Sequence, residues 1–121
     1  LLWLFSIGDK MNISPIHMIN KANNYDVRVV LKEFAALIDA TPEDLIKQDR
    51  SQTIARCRHI LIFSLKLHTG LSYPKIGLIL KRDHSTIVHA VKMGEKIVKE
   101  NPWLYEEIEK IFDKAEWPEL D

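Results

Sequence analysis

Four consecutive residues, Asp83-His84-Ser85-Thr86, put a carboxylate, an imidazole and two hydroxyls into one short stretch, and His89, Lys92 and Lys96 follow at spacings of three and four. On a helix such residues share one side, because positions three and four apart are surface neighbours. Short donors and acceptors at a helix start can reach base edges in a major groove. A Thr or Ser carbon there can meet a thymine methyl, and the free backbone amides attract phosphate. Other chemistry is poorly supplied. No His-Glu-x-x-His, Cys-x-x-Cys or Gly-x-Ser-x-Gly occurs, and the glycines at 8, 70, 77 and 94 form no Gly-x-x-x-x-Gly-Lys-[Ser/Thr] loop. The five histidines, at 17, 59, 68, 84 and 89, lack helical metal-ligand spacing with acids. The sequence therefore predicts neither an enzyme nor a metal, nucleotide or other cofactor site.

A helix of this kind needs a second element to present it. Ser72 can cap a short helix from Tyr73 to Leu80, with Pro74 in the first turn where a missing N–H costs nothing. Lys81-Arg82 makes the turn, and Asp83 caps the next helix, whose apolar set Ile87, Ala90, Val91, Gly94, Ile97 and Val98 faces away from the polar one. Short helix, tight turn and second helix is the layout of a helix-turn-helix, and by pattern alone a plain helical hairpin fits equally well.

Upstream, Val27, Val30, Leu31, Phe34, Leu37 and Ile38 form one stripe of a helix from Asp26 to about Asp39. Thr41-Pro42-Glu43-Asp44 opens a short helix carrying Leu45 and Ile46. Ser51 or Gln52 opens a long one to about His68, with Ile54, Cys57, Leu61 and Leu65 inward, Arg56, His59 and Lys66 outward, and Gly70 as a left-handed cap. Ser14-Pro15 predicts a further short helix ended by Asn20 to Asn24. Asn101-Pro102 repeats the cap-plus-proline signature ahead of Leu104, Ile108, Ile111, Phe112 and Ala115. No alternating strand pattern occurs, so the chain reads as all-α.

The 121 residues suit one core, and 46% hydrophobic with 28% charged residues is the balance of a folded chain rather than a disordered one. The lone Cys57 precludes an internal disulfide, reads as a small core residue and fits a reducing cytoplasm. Leu1-Leu2-Trp3-Leu4-Phe5 is too short for a membrane span and lacks the basic flank of a signal peptide, so no membrane partner is expected. Zero net charge hides a partition. Residues 50–99 hold ten Lys or Arg against two acids, a net +8, while residues 1–49 and 100–121 carry −2 and −6. Such a basic block is as often a solvated face as a polyanion site. His17 and His59 read as surface groups, His68 as a helix-end residue, and Trp3, Trp103 and Trp117 as packing residues.

Tyr73-Pro74-Lys75-Ile76-Gly77 and Arg82-Asp83-His84-Ser85-Thr86-Ile87-Val88-His89-Ala90, with Arg50-Ser51 and Ile54-Ala55-Arg56-x-Arg58 upstream, closely resemble the C-terminal DNA-binding domain of the bacterial DnaA family over roughly residues 27 to 98. The resemblance implies an all-α helix-turn-helix domain of the DnaA C-terminal, Trp-repressor-like type with flanking N- and C-terminal helices. It also implies sequence-specific binding of double-stranded DNA at DnaA-box-like sites. Asp83, His84, Ser85 and Thr86 would touch bases and nearby backbone, and Arg50 would enter the minor groove, where a guanidinium suits a narrow electronegative channel. Arg58, Lys66, Pro74 and His89 match positions set against the DNA backbone. Arg56 and Lys75 would join by charge, and Tyr73, Arg82 and Lys92 complete the expected DNA-facing set.

Three departures from the family pattern stand out. The turn is about one residue short with Lys81 in place of a common glycine, Lys75 replaces glutamate, and Ser85 replaces threonine with loss of a methyl group. The expected organisation is an N-terminal extension over 1–25, the DNA-binding domain over 26–99 and an acidic helix over 100–121. This would be a stand-alone relative without the ATP-binding motor, or a detached end of a longer polypeptide. Its role would lie in replication initiation or its regulation. The rivals are a transcriptional, phage or mobile-element regulator, and an adaptor that binds a protein partner through the acidic last helix. That helix could also fold over the basic surface and inhibit it.

Overall fold

Asp26 takes an extended backbone and its carboxylate accepts the Arg28 N–H at 3.0 Å, which opens α1 (Val27–Ala36). In the computed structural model, which describes residues 24–48 and 51–117, five more helices follow: α2 (Pro42–Ile46), α3 (Gln52–Thr69), α4 (Tyr73–Leu80), α5 (His84–Glu100) and α6 (Trp103–Lys114). The expected helix at Ser14-Pro15 lies outside the described residues. The fold is all-helical, and an isolated bridge joins Tyr25 to Glu116.

The helix starts follow the capping chemistry of the sequence. Thr41 and Asp44 close a reciprocal box, the Thr41 hydroxyl accepting the Asp44 N–H at 3.4 Å and the Asp44 carboxylate accepting the Thr41 N–H at 2.9 Å. That backbone bond, helped by Lys47, holds the Asp44 carboxyl below the usual carboxylate range. Ser51, Ser72 and Asp83 cap α3, α4 and α5 in turn. Gly70 ends α3 at φ 67°, where a side chain would be strained. One junction departs from expectation. Asn101 turns back to donate to the Ile97 carbonyl at 2.9 Å, so Pro102 precedes α6 without a side-chain cap. The first stripe also stops early: α1 ends at Ala36, and Leu37 beyond it is 58% exposed.

α3 runs through the centre. Cys57, Leu61, Ile62, Phe63, Ser64 and Leu65 are all buried, so neighbours cover it on more sides than a single stripe requires. Ser64 and Thr69 satisfy their hydroxyls on carbonyls one turn back, at 2.7 and 2.6 Å. The Cys57 thiol reaches the Phe34 carbonyl at 3.4 Å, and burial pushes its pKa up to about 11, so it behaves as the packing residue expected. α5 lies along α3 at Gly94, where an added Cβ would overlap the His59 carbonyl oxygen and stand 2.6 Å from the Phe63 Cβ. α6 closes the core against α1 and the end of α5 through Ile108, Ile111 and Phe112. Its C-terminal end is pinned by the Asp26 N–H on the Ala115 carbonyl at 2.7 Å. His68 stacks on Phe112 at 4.2 Å, so it is a packing residue here. Trp103, expected to pack, is instead 64% exposed. Full burial of Phe34 or Phe112 contributes about 1.5–3 kcal/mol each.

Candidate nucleic-acid interface

α4 and α5 are joined by the three residues Lys81, Arg82 and Asp83. So short a turn demands an unusual backbone, and Lys81 supplies it at φ 55°, ψ 47°, the left-handed region that glycine normally takes. Gly77 makes room for the returning chain. A Cβ there would stand 2.5 Å from the Arg82 carbonyl oxygen, and the Gly77 carbonyl accepts the Arg82 N–H at 2.9 Å. Buried Ile76, Ile79 and Leu80 on one side, with Ile87 and Ala90 on the other, fix the two helices together.

This arrangement leaves the mouth of α5 in solvent. Asp83, His84, Ser85 and Thr86 are exposed, as are His89, Lys92 and Lys96 further along the same side. Asp83 accepts the Thr86 N–H at 2.8 Å and the Ser85 hydroxyl proton at 3.0 Å, and these bonds hold its carboxyl below the usual range. Ser85 is thereby turned so that its lone pairs remain as acceptors. The His84 imidazole stacks on Tyr73, centroids 5.7 Å apart and planes 21° from parallel. The Lys66 ammonium stands 4.6 Å from the centre of the Tyr73 ring and donates to the Leu71 carbonyl at 3.0 Å. Pro74 and Lys75, in the first turn of α4, are exposed beside Tyr73. Lys66 and Tyr73 thus gather beside the same helix mouth.

The arginines behave differently from expectation. Arg58, expected against a DNA backbone, is only 8% exposed. Its guanidinium donates to the Leu45 carbonyl at 2.7 Å and to the Lys47 carbonyl at 3.4 Å. The reason is local, since the last carbonyls of α2 need donors and carry the negative end of its dipole. Arg82 joins from the other side, donating to the Ile46 carbonyl, to Lys47 at 2.9 Å and to Leu80 at 2.7 Å. The pair therefore clamps the end of α2 to α3 and to the turn. Arg56 is exposed but lines a groove with Phe34, Ile38, Trp103 and Glu107, away from the helix mouth. Arg50 lies outside the described residues.

One histidine was missed. His59, read as an ordinary surface group, is half-buried where α3 crosses α5, with its ring 6.3 Å from that of His89. Burial, with His89, Arg58 and Arg56 nearby, draws its pKa below the usual imidazole value. The available signal was Gly94, since a glycine on a buried helix side marks close approach and brings residues at that level together. Among the described residues no group of three or more His, Cys, Asp or Glu gathers to hold a metal, and no helix is long and apolar enough to cross a membrane.

The family model for the bacterial dnaA protein helix-turn-helix matches residues 27–93, from α1 into α5. The chain is 29% identical over 109 residues to the chromosomal replication initiator protein DnaA of Clavibacter sepedonicus, and 31% identical over 109 residues to that of Leifsonia xyli subsp. xyli. The match to the DnaA of Kosmotoga olearia is 30% identical over 86 residues. These alignments cover 89, 89 and 70% of this chain but 20, 20 and 19% of the relatives, so the chain spans about a fifth of their length. With more than half of its residues matched, including α4, the turn and the first part of α5, the chain belongs to the bacterial DnaA helix-turn-helix family.

Proposed function

We propose that this chain docks α5 in the major groove of double-stranded DNA and reads DnaA-box-like sites, in the initiation of DNA replication or its regulation, in the cytoplasm. The observation that carries the reading is the exposed mouth of α5, where His84, Ser85 and Thr86 stand clear of the core with lysines around them. His84 offers a donor or an acceptor according to tautomer, Ser85 offers lone pairs, and Thr86 offers a hydroxyl and a methyl for thymine. Asp83 orients this set and can accept from an exocyclic amine. Lys66, Lys75 and Lys92, with Pro74 and His89, lie against the phosphates, and Tyr73 packs beneath His84. Arg50 enters the minor groove. Arg58 and Arg82 contribute indirectly, through the clamp on α2. His84→Ala should cost about 1–3 kcal/mol on the preferred duplex and nothing on a random one. An equal loss on both would remove the base-reading role.

A second reading has one observation behind it. Between α1, α3 and α6 runs an apolar groove of about 380 Å³, with Trp103 and Leu37 exposed at its side and the acids Glu106, Glu109 and Asp113 in solvent on α6. Under this adaptor reading, Trp103→Ala abolishes association with a protein partner and leaves DNA affinity unchanged. Loss of DNA affinity in Trp103→Ala would argue against two separate faces.

A further inference from the structure

Resting on the DNA-binding reading above, we propose that Tyr73 is a positioning residue that sets the orientation in which His84 meets a base. His84 is the first residue of α5 and is exposed, and the ring its imidazole meets belongs to α4 rather than to its own helix. Tyr73 is the first residue of α4 and half-buried, and it reaches across the turn to lie under the imidazole at 5.7 Å and 21°. That separation is within the range of favourable offset stacking. The Tyr73 ring is held in its turn. Ser72 caps α4 by accepting the Lys75 N–H at 3.4 Å, and the Lys66 ammonium, anchored on the Leu71 carbonyl, stands 4.6 Å from the ring centre. A cation over a ring face is attracted by the ring's quadrupole, so α3, α4 and α5 are tied through one aromatic plane.

The consequence is specificity. A side chain ordered before binding loses less freedom when it makes its base contact, so the stack raises affinity only where that contact forms. Phosphate contacts elsewhere are indifferent to it. The Tyr73 hydroxyl has no part in the stack, so phenylalanine should replace tyrosine in this role and leucine should not.

The test compares wild type, Tyr73→Phe and Tyr73→Leu on a duplex enriched from a random library and on a scrambled duplex of equal length. Proton NMR of the His84 ring in the DNA-free proteins supplies a second readout. Tyr73→Leu should lose about two- to tenfold on the enriched duplex only. It should also shift the His84 ring protons downfield as the shielding by Tyr73 disappears, and Tyr73→Phe should match wild type in both respects. If Tyr73→Leu retains wild-type discrimination, weakens both duplexes equally, or leaves the His84 resonances unmoved, the positioning role is overturned while DNA binding stands. A wild-type protein that binds neither duplex would overturn the DNA-binding reading, and this one with it.

Discussion

Arg58 and Lys66 are two cations on one helix, two turns apart, and their surroundings assign them different work. Arg58 is buried against the carbonyls of Leu45 and Lys47, whereas Lys66 stands over Tyr73 beside the mouth of α5. Arg58→Ala should therefore cost about 3 kcal/mol of folding stability, because it removes charge-assisted bonds and takes the guanidinium donor from the buried Leu45 carbonyl, while Arg82 still serves Lys47. Lys66→Ala should cost only about 1 kcal/mol, for its bond to the Leu71 carbonyl, while flattening the salt dependence of DNA binding by about one unit. Thermal melts and salt titrations of the two variants check this, and matching profiles would refute the division. His59 and His68 give a second expectation. Burial lowers both pKa values, His59 further through His89 and the arginines, while Glu109 and Asp113 partly oppose the shift at His68. The folded state then refuses protons that the unfolded chain accepts, so stability should fall as pH drops below about 6.5 towards the lowered values. A further fall belongs below about pH 4, where the unfolded chain protonates Asp83 and Asp44 while the fold still holds them ionised. Melts across pH 7.5 to 5 should show the first loss, and His68→Phe should reduce it. Residue type announced which side chains could meet DNA. It could not say that Arg58 is claimed by α2 or that His59 lies at a crossing, since both follow from contacts between distant parts of the chain.

Helix ends were legible because capping is local chemistry. Thr41 with Asp44, Ser51, Ser72, Asp83 and Gly70 act where sequence places them, each within four residues of the groups they satisfy. Asn101 escaped because two helix ends compete for it, and the carbonyl of Ile97 takes its amide. The all-round burial of α3 was legible only in part, since a central helix carries more apolar positions than its inward stripe. The turn before α5 makes a sharp prediction. Lys81→Gly should stabilise the fold by about 0.5–1 kcal/mol, the relief of left-handed strain exceeding the extra freedom of glycine in the unfolded chain. A chemical denaturation series measures it, and a loss of stability would contradict the backbone assignment. Gly94→Ala goes the other way. Its methyl meets the backbone of α3 rather than a movable side chain, so about 3 kcal/mol or more should be lost, with a matching drop in melting temperature.

Charge is distributed to suit the proposed role, with net +8 between residues 50 and 99 and −6 beyond residue 99. The acidic helix does not lie loose at the end of the chain. Ile108 and Phe112 of α6 are built into the core, and Lys114 pairs with Glu33 of α1 at 3.3 Å. Removing residues 100–121 would therefore expose core, and point substitutions on the acidic face are the sounder probe of any inhibitory role. Net charge foretold a polyanion partner no better than evenly; the proposed docking rests on the motif at the mouth of α5 and its exposure. The decisive measurement is the affinity of the wild-type protein for an enriched and a scrambled duplex across about 50–200 mM salt. With Arg50, Lys66, Lys75 and Lys92 on phosphates or in the groove, log affinity should fall against log salt with a slope of about −4 for both duplexes. The enriched duplex should stay tighter throughout. Equal affinities for the two, or a slope near zero, would contradict the account.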